Sequence, residues 1–194
     1  MSVRRNKVIR VYTMDISMLK RPINKIKVAL LLNKVLLKEG FNGSFKIEKN
    51  TWGKPFLTDY PFIHFNGSHS GKYLVLALSD YPVGIDIQEK TGQKNGIELA
   101  HRFMALEDYE ALKKMSDPDN QFYECWAQKE SYMKYRGLGF SLPMTDFYIC
   151  QNENKVYENG QFKENVFFST LKFDAEYALW VCGEESEAVI VDRL

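Results

Sequence analysis

Two short segments of this chain place charged side chains where burial would make them costly. Val83-Gly84-Ile85-Asp86-Ile87 is an apolar strand pattern interrupted by a carboxylate. A carboxylate in such a run is expensive unless it is paired or metal-bound. Strand alternation sets Gly84, Asp86 and Gln88 on one face. That face is either the solvated side of an edge strand, which this segment alone favours, or the wall of a site. The second segment, Trp126-Ala127-Gln128-Lys129-Glu130-Ser131-Tyr132-Met133-Lys134, has helical spacing, and Glu130 and Lys134 stand four residues apart on one face. The commonest explanation of such a pair is a surface ion pair worth roughly 0.3–0.5 kcal/mol. The alternative is a carboxylate and an ammonium aimed at one phosphate-bearing ligand. Tyr123 and Ala127 on the same stripe imply that this face is partly covered.

Two polar segments could complete an anion site. Asn66-Gly67-Ser68-His69-Ser70 follows a short apolar run and contains a strong turn dipeptide. Its backbone N–H groups, hydroxyls and imidazole would cradle an anion, or it is an ordinary turn with a solvated histidine. Gly53-Lys54-Pro55 puts a cation on a stiff turn, where a solvated lysine is the default. Other patterns fail on chemistry. Gly67-Ser68-His69-Ser70-Gly71 has histidine where a nucleophile elbow needs serine. Gly71-Lys72 lacks both the Walker glycine and the following hydroxyl. Gly137-Leu138-Gly139 follows a helix, so it is no dinucleotide fingerprint. His64 and His69 have no Cys or third His at structural-zinc spacing.

These segments must be held by elements that the pattern predicts. Lys7 to Ile16 reads as a strand, and Pro22 opens a helix that runs through Leu37 to a stop at Gly40. Ser44–Lys49 and Phe62–Phe65 read as short strands, the latter ending in a turn at Asn66-Gly67. Tyr73–Leu78 and Val83–Ile87 read as a hairpin joined through Ser79–Pro82. Gly96–Met104 and Glu107–Met115 read as helices with a break near Ala105. Asp117-Pro118-Asp119 caps a longer helix ended by Gly137-Leu138-Gly139. The last quarter alternates as an antiparallel meander, with a turn at Glu158-Asn159-Gly160. The class is α+β.

Composition narrows the function. A chain of 194 residues, 45% apolar, is long enough for one large domain or two small lobes. Twenty-six Lys+Arg against 25 Asp+Glu leave a net charge of +1, which argues against nucleic acid as a partner. Three cysteines without a C-x-x-C pattern make no disulfide scaffold. No apolar run approaches the roughly 18 residues of a membrane span, and Arg10 interrupts any signal-peptide core. The expectation is a soluble cytoplasmic protein that does not use a membrane.

Taken in order, Gly53-Lys54-Pro55, Phe65-Asn66-Gly67-Ser68-His69-Ser70, Val83-Gly84-Ile85-Asp86-Ile87, and Trp126 to Lys134 with Gly137-Leu138-Gly139 closely resemble the surfactin-type (Sfp-type) 4′-phosphopantetheinyl transferases. The resemblance spans about Trp52 to Phe147. It implies two similar α+β lobes related by a pseudo-twofold, Met1–Tyr81 and Pro82–Leu194, each a small antiparallel sheet packed with helices. Coenzyme A would lie between them. It implies Mg²⁺-dependent transfer of the phosphopantetheine arm to a serine of an acyl or peptidyl carrier protein, releasing adenosine 3′,5′-bisphosphate.

Carried over by position, Asp86 and Glu130 would hold Mg²⁺, with Gln88 ligating directly or through water and Asp108 nearby. Glu130 would deprotonate the carrier serine, and Lys134 would neutralise charge on the pyrophosphate. Lys54, Pro55, Ser68, His69 and Lys134 would contact coenzyme A. The sequence departs from the family at Gln88, where a second carboxylate is common. It also has no clear counterpart of the basic residues that precede the first helix, for which Lys20, Arg21 and Lys25 are candidates. Two fused lobes make a monomer sufficient. A catalytically silent module that binds coenzyme A or the carrier is the alternative that Gln88 suggests, and a metal-dependent phosphodiesterase using Asp86 and Glu130 is a third reading.

Overall fold

The apolar alternation of the strands builds four layers, helix on sheet on sheet on helix. The computed structural model describes residues 8–19, 25–184 and 186–194, except for the side chains of residues 25–27. The first sheet has strand order β12-β1-β5-β4, from β1 (Ile9–Asp15), β4 (His64–Ser70), β5 (Tyr73–Ser79) and β12 (Ala188–Arg193). The second has order β10-β11-β6, from β6 (Val83–Glu89), β10 (Phe167–Thr170) and β11 (Tyr177–Gly183).

Helix α1 (Lys25–Lys38) covers one face of the first sheet, burying Leu31, Leu32, Val35 and Leu36 against Tyr12, Phe65, Leu74, Leu76 and Leu78. Fully burying each such aliphatic side chain contributes roughly 1.5–3 kcal/mol over leaving it in water. The alternate residues of β1 and β5, Ile9, Val11, Val75 and Ala77, turn to the other face. There they pack on Val83, Ile85 and Ile87 of β6 and on Leu179 and Val181 of β11. One alternation thus feeds two cores. The outer face of β6 holds Gly84, Asp86 and Gln88, and it meets the long helix α4 (Pro118–Arg136).

Asp117 caps α4 by accepting the Asn120 N–H, and Gly137 ends it in the left-handed region at φ +64°. Helices α2 (Gly96–Phe103) and α3 (Leu106–Leu112) precede it, with the expected break between them. Two smaller sheets complete the fold: β2 (Ile47–Lys49) with β3 (Pro55–Leu57), and β7 (Phe147–Cys150) with β8 (Lys155–Glu158) and β9 (Gln161–Phe162). The β8–β9 turn at Asn159-Gly160 has both residues at positive φ, as its sequence predicts. The class is α+β. Among the described residues no helix is long and apolar enough to cross a membrane.

Three sequence expectations are corrected. Asn66-Gly67 is no turn: both residues lie inside β4, because the buried Asn66 side chain accepts the Ile85 N–H at 3.0 Å. The turn comes instead at Gly71-Lys72, with Gly71 at φ +50°. Strands β5 and β6 are no hairpin either. β5 pairs with β1 and β4 while β6 pairs with β11, so the connection at Asp80–Pro82 carries the chain from one sheet to the other. Nor does the last quarter form one meander. β12 leaves it to run parallel beside β1, so the first sheet takes a strand from each side of the Tyr81/Pro82 division. Pro22, Lys20 and Arg21 lie outside the described residues.

Candidate active site

Strand β6 and helix α4 approach so closely that only glycine fits between them. A Cβ at Gly84 would lie 2.0 Å from the Ser131 carbonyl oxygen and 2.3 Å from the Tyr135 nitrogen. Two residues on, on the same face, Asp86 is 2% exposed. Lys134 Nζ donates to Asp86 Oδ1 at 2.5 Å and to Ser68 Oγ at 3.0 Å. Ser68 Oγ donates to the same Oδ1 at 2.6 Å, and Gln88 Nε2 donates to Oδ2 at 2.7 Å. Lys134 is therefore not the surface partner of Glu130 that helical spacing allows. It reaches across to the strand.

Glu130, one turn before Lys134, accepts no hydrogen bond from any described residue. Burial raises its pKa, the neighbouring Asp86 charge raises it further, and Lys134 acts the other way. A half-buried carboxylate beside another carboxylate is the arrangement a cation would relieve. Beside it opens a pocket of about 260 Å³ walled by Trp52, Pro55, Glu130, Met133, Lys134 and Phe140. Phe140 is 98% exposed on its rim. A larger cavity of about 700 Å³ between the first half of α4 and β11 contains none of the clustered groups, and its Glu124 is already paired with Lys90 and with Trp180 Nε1.

Strand β4 supplies its part of the cluster from an edge. Asn66, Ser68 and Ser70 alternate toward β6: Asn66 Oδ1 accepts the Ile85 N–H, Ser68 donates to Asp86, and Ser70 Oγ accepts the Glu89 N–H at 2.9 Å. Partner numbers rise together, so the two edge strands run in the same direction, joined through side chains. Sequence reasoning read this segment as a turn and missed Asn66 and Ser70. The signal was present in the period-2 spacing of polar residues at 66, 68 and 70. His69 falls between them, is exposed, and lies on the face where Gly67 approaches Val28 of α1.

Two expected positions have other partners. Lys54 Nζ donates to the Val83 and Tyr135 carbonyl oxygens at 3.0 and 2.9 Å, and burial brings its pKa down to about 8. Asp108 is not brought to the Asp86–Glu130 cluster. It forms a buried ion pair with Lys129, which also donates to the Phe147 carbonyl at 2.6 Å, and it accepts the Ile149 N–H at 3.0 Å. Burial pushes Asp108 up and Lys129 down, and each charge holds the other against that shift. The physical reason is helical geometry: Lys129 and Glu130 are about 100° apart around α4, so the acid that meets one cannot meet the other.

Four named relationships bear on this site. The family model of the 4′-phosphopantetheinyl transferase superfamily matches residues 82–182, which run from the start of β6 almost to the end of β11. The 4′-phosphopantetheinyl transferase Sfp of Bacillus subtilis (strain 168) is 32% identical over 169 residues, covering 79% of this chain and 72% of that protein. A second Bacillus subtilis 4′-phosphopantetheinyl transferase is 37% identical over 145 residues, covering 72% of this chain and 62% of its own length. The L-aminoadipate-semialdehyde dehydrogenase-phosphopantetheinyl transferase of Saccharomyces cerevisiae is 33% identical over 113 residues, covering 53% and 42%. With the family match extending over half of its length, the chain belongs to the 4′-phosphopantetheinyl transferase superfamily.

Proposed function

We propose that this chain moves the 4′-phosphopantetheine arm of coenzyme A onto a serine hydroxyl of an acyl or peptidyl carrier protein, releasing adenosine 3′,5′-bisphosphate. One observation carries the reading: Ser68, Asp86 and Lys134, from three separate elements, meet beside the unpartnered carboxylate of Glu130.

The donor set fits Mg²⁺. Asp86, Glu130 and the amide oxygen of Gln88 are all hard oxygen ligands, and Glu130 has no donor of its own. Among the described residues no group of three or more His, Cys, Asp or Glu is placed to hold a metal ion. Two carboxylates would leave positions for water and substrate phosphate, the usual manner of Mg²⁺ binding. Bound there, the ion would neutralise the pyrophosphate and organise its oxygens.

The chain's own residues account for the rest. Lys134 would present its ammonium to the pyrophosphate from the same helix face, one turn after Glu130. Ser68, beside Asp86, would contact the nucleotide end, His69 would do so only from the exposed other face of β4, and Pro55 would shape the rim. Glu130, whose burial favours proton uptake, takes the proton of the carrier serine. The serine oxygen forms its bond to the phosphorus that bears the arm. The P–O bond to adenosine bisphosphate breaks, and the charge on the departing phosphate develops beside Lys134 Nζ. Residues 1–81 would thus supply the nucleotide contacts, and residues 82–194 the metal, the base and the carrier contact, in a monomer.

Incubating the protein with coenzyme A, Mg²⁺ and an apo carrier tests the proposal. Gain of the arm's mass on the carrier is expected. Hydrolysis of coenzyme A without transfer would replace transfer with a phosphodiesterase activity, and binding without turnover would leave a silent module.

A further inference from the structure

The turn at Asn50–Lys54 touches α4 at its C-terminal end through several independent contacts. Asn50 Oδ1 accepts the Trp52 and Lys54 N–H groups at 3.0 and 2.8 Å, which fixes the turn. Its amide nitrogen then donates to the Gly137 carbonyl at 3.0 Å. A Cβ at Gly137 would lie 2.6 Å from Lys54 Cδ, and one at Gly139 would lie 3.0 Å from the Trp52 carbonyl oxygen. Both glycines also have positive φ, so each answers a backbone and a packing demand at once.

Lys54 completes the grip. Its ammonium is shared between the Val83 carbonyl, at the start of β6, and the Tyr135 carbonyl, in the last turn of α4. The Tyr135 carbonyl is one of the four that a helix leaves without internal partners, and a cation there also meets the negative end of the helix dipole. Val83 is three residues before Asp86, and Tyr135 is one residue after Lys134. A single side chain therefore ties the strand that carries the carboxylate to the helix that carries the ammonium.

We propose that the Asn50–Lys54 turn is a clamp on the C-terminal turn of α4, and that Lys54 is a positioning residue for Lys134 instead of a ligand of the nucleotide. Two of the three Lys54 N–H donors are committed to these carbonyls, so a phosphate that drew the ammonium away would release them. Releasing them would loosen the last turn of α4, which carries Lys134, and displacement of a reacting group by about 1 Å is enough to cost about 10²-fold in rate. The inference rests on the reading that Lys134 acts on the pyrophosphate.

Lys54→Met tests it, because the variant keeps the apolar stem beside Gly137 and removes only the donors. Three quantities are measured on the full chain: coenzyme A affinity by calorimetry with Mg²⁺, kcat with an apo carrier, and amide exchange of Gly137, whose N–H donates to the Met133 carbonyl at 2.9 Å. A positioning role lowers kcat by about 10²-fold, speeds Gly137 exchange, and leaves coenzyme A affinity within about threefold, a loss confined to the transition state. Lys54→Gln, whose amide still donates to one carbonyl, recovers part of kcat and slows the exchange, and it carries the test if the Met variant does not fold. Coenzyme A affinity weakened tenfold or more with kcat unchanged puts Lys54 on the nucleotide and overturns the inference. Unchanged kcat, affinity and exchange overturn it equally. Should the wild-type chain fail to modify a carrier, the transferase reading falls by itself, and Gly137 exchange still reports whether the clamp exists.

Discussion

Asp86 has both carboxylate oxygens engaged by this chain: Lys134 and Ser68 on Oδ1, Gln88 on Oδ2. A cation arriving at Asp86 must therefore compete with a tethered ammonium already 2.5 Å away. Phosphate is the ligand that would draw Lys134 off, so metal and coenzyme A should bind with mutual reinforcement, equal in both directions. Lys134→Met separates the two parts of this argument. Carrier modification should fall by about 10²–10³-fold, as when a preorganised contact to developing charge is lost. Divalent-ion affinity of the protein without coenzyme A should rise, because the competitor is gone. Calorimetric titration with Mn²⁺ or Mg²⁺ reads the second effect without any turnover. Unchanged turnover would remove Lys134 from the chemistry, and unchanged metal affinity would remove it from Asp86. Gln88 marks how far residue types alone could reach. Alternation placed it on the face of Asp86, where it lies, but spacing carries no information on whether its amide meets a metal or the neighbouring carboxylate.

Helix α4 is the element on which the site depends, and its course was legible because both ends are marked in the sequence. Asp117-Pro118 starts it and Gly137 stops it, each by a local backbone requirement that no distant contact needs to supply. Its inward partner was harder to read. Lys129 lies three or four residues from Cys125, Trp126, Tyr132 and Met133, an apolar neighbourhood in which a lysine needs a buried acid. That signal calls for a buried acid without saying which; the structure supplies Asp108, whose place in Glu107-Asp108-Tyr109 had also suited a metal site. The distance between α4 and β6 is set by Gly84. Its missing Cβ is matched by backbone atoms of Ser131 and Tyr135, which cannot rotate away as a side chain could. Gly84→Ala should therefore move the whole helix, losing about 1–3 kcal/mol or more to overpacking and drawing Lys134 away from Asp86. A lowered melting temperature with loss of carrier modification is expected. A variant with wild-type stability and turnover would show that the interface yields without cost.

At the scale of the whole molecule, the two sheets share one core, and their edge strands β4 and β6 are joined by side chains where backbone pairing is absent. This junction was the least legible feature. Asn66-Gly67 has strong local turn preference, and a three-residue link between two apolar strands suits a hairpin as well as it suits a change of sheet. What decides is tertiary: Ile85 is fully buried, its N–H needs an acceptor, and Asn66 provides it. The same junction delivers Ser68 to Asp86, so the polar contacts that hold the sheets together also build the site. Asn66→Ala should leave the Ile85 N–H buried without a partner, at a cost of about 1–3 kcal/mol. Ser70→Ala, at a more open position, should cost less. Because Ile9, Val11, Val75 and Ala77 of the first sheet pack on Val83, Ile85, Leu179 and Val181 of the second, that loss should appear as a shift of a single transition. Denaturant unfolding followed by far-ultraviolet circular dichroism and by tryptophan fluorescence makes the comparison, since Trp52 reports on the clamp turn and Trp180 on the second sheet. Coincident curves that move together in Asn66→Ala are expected. Curves that separate, with one sheet melting before the other, would show that the side-chain junction, and not the shared core, makes the two halves cooperative.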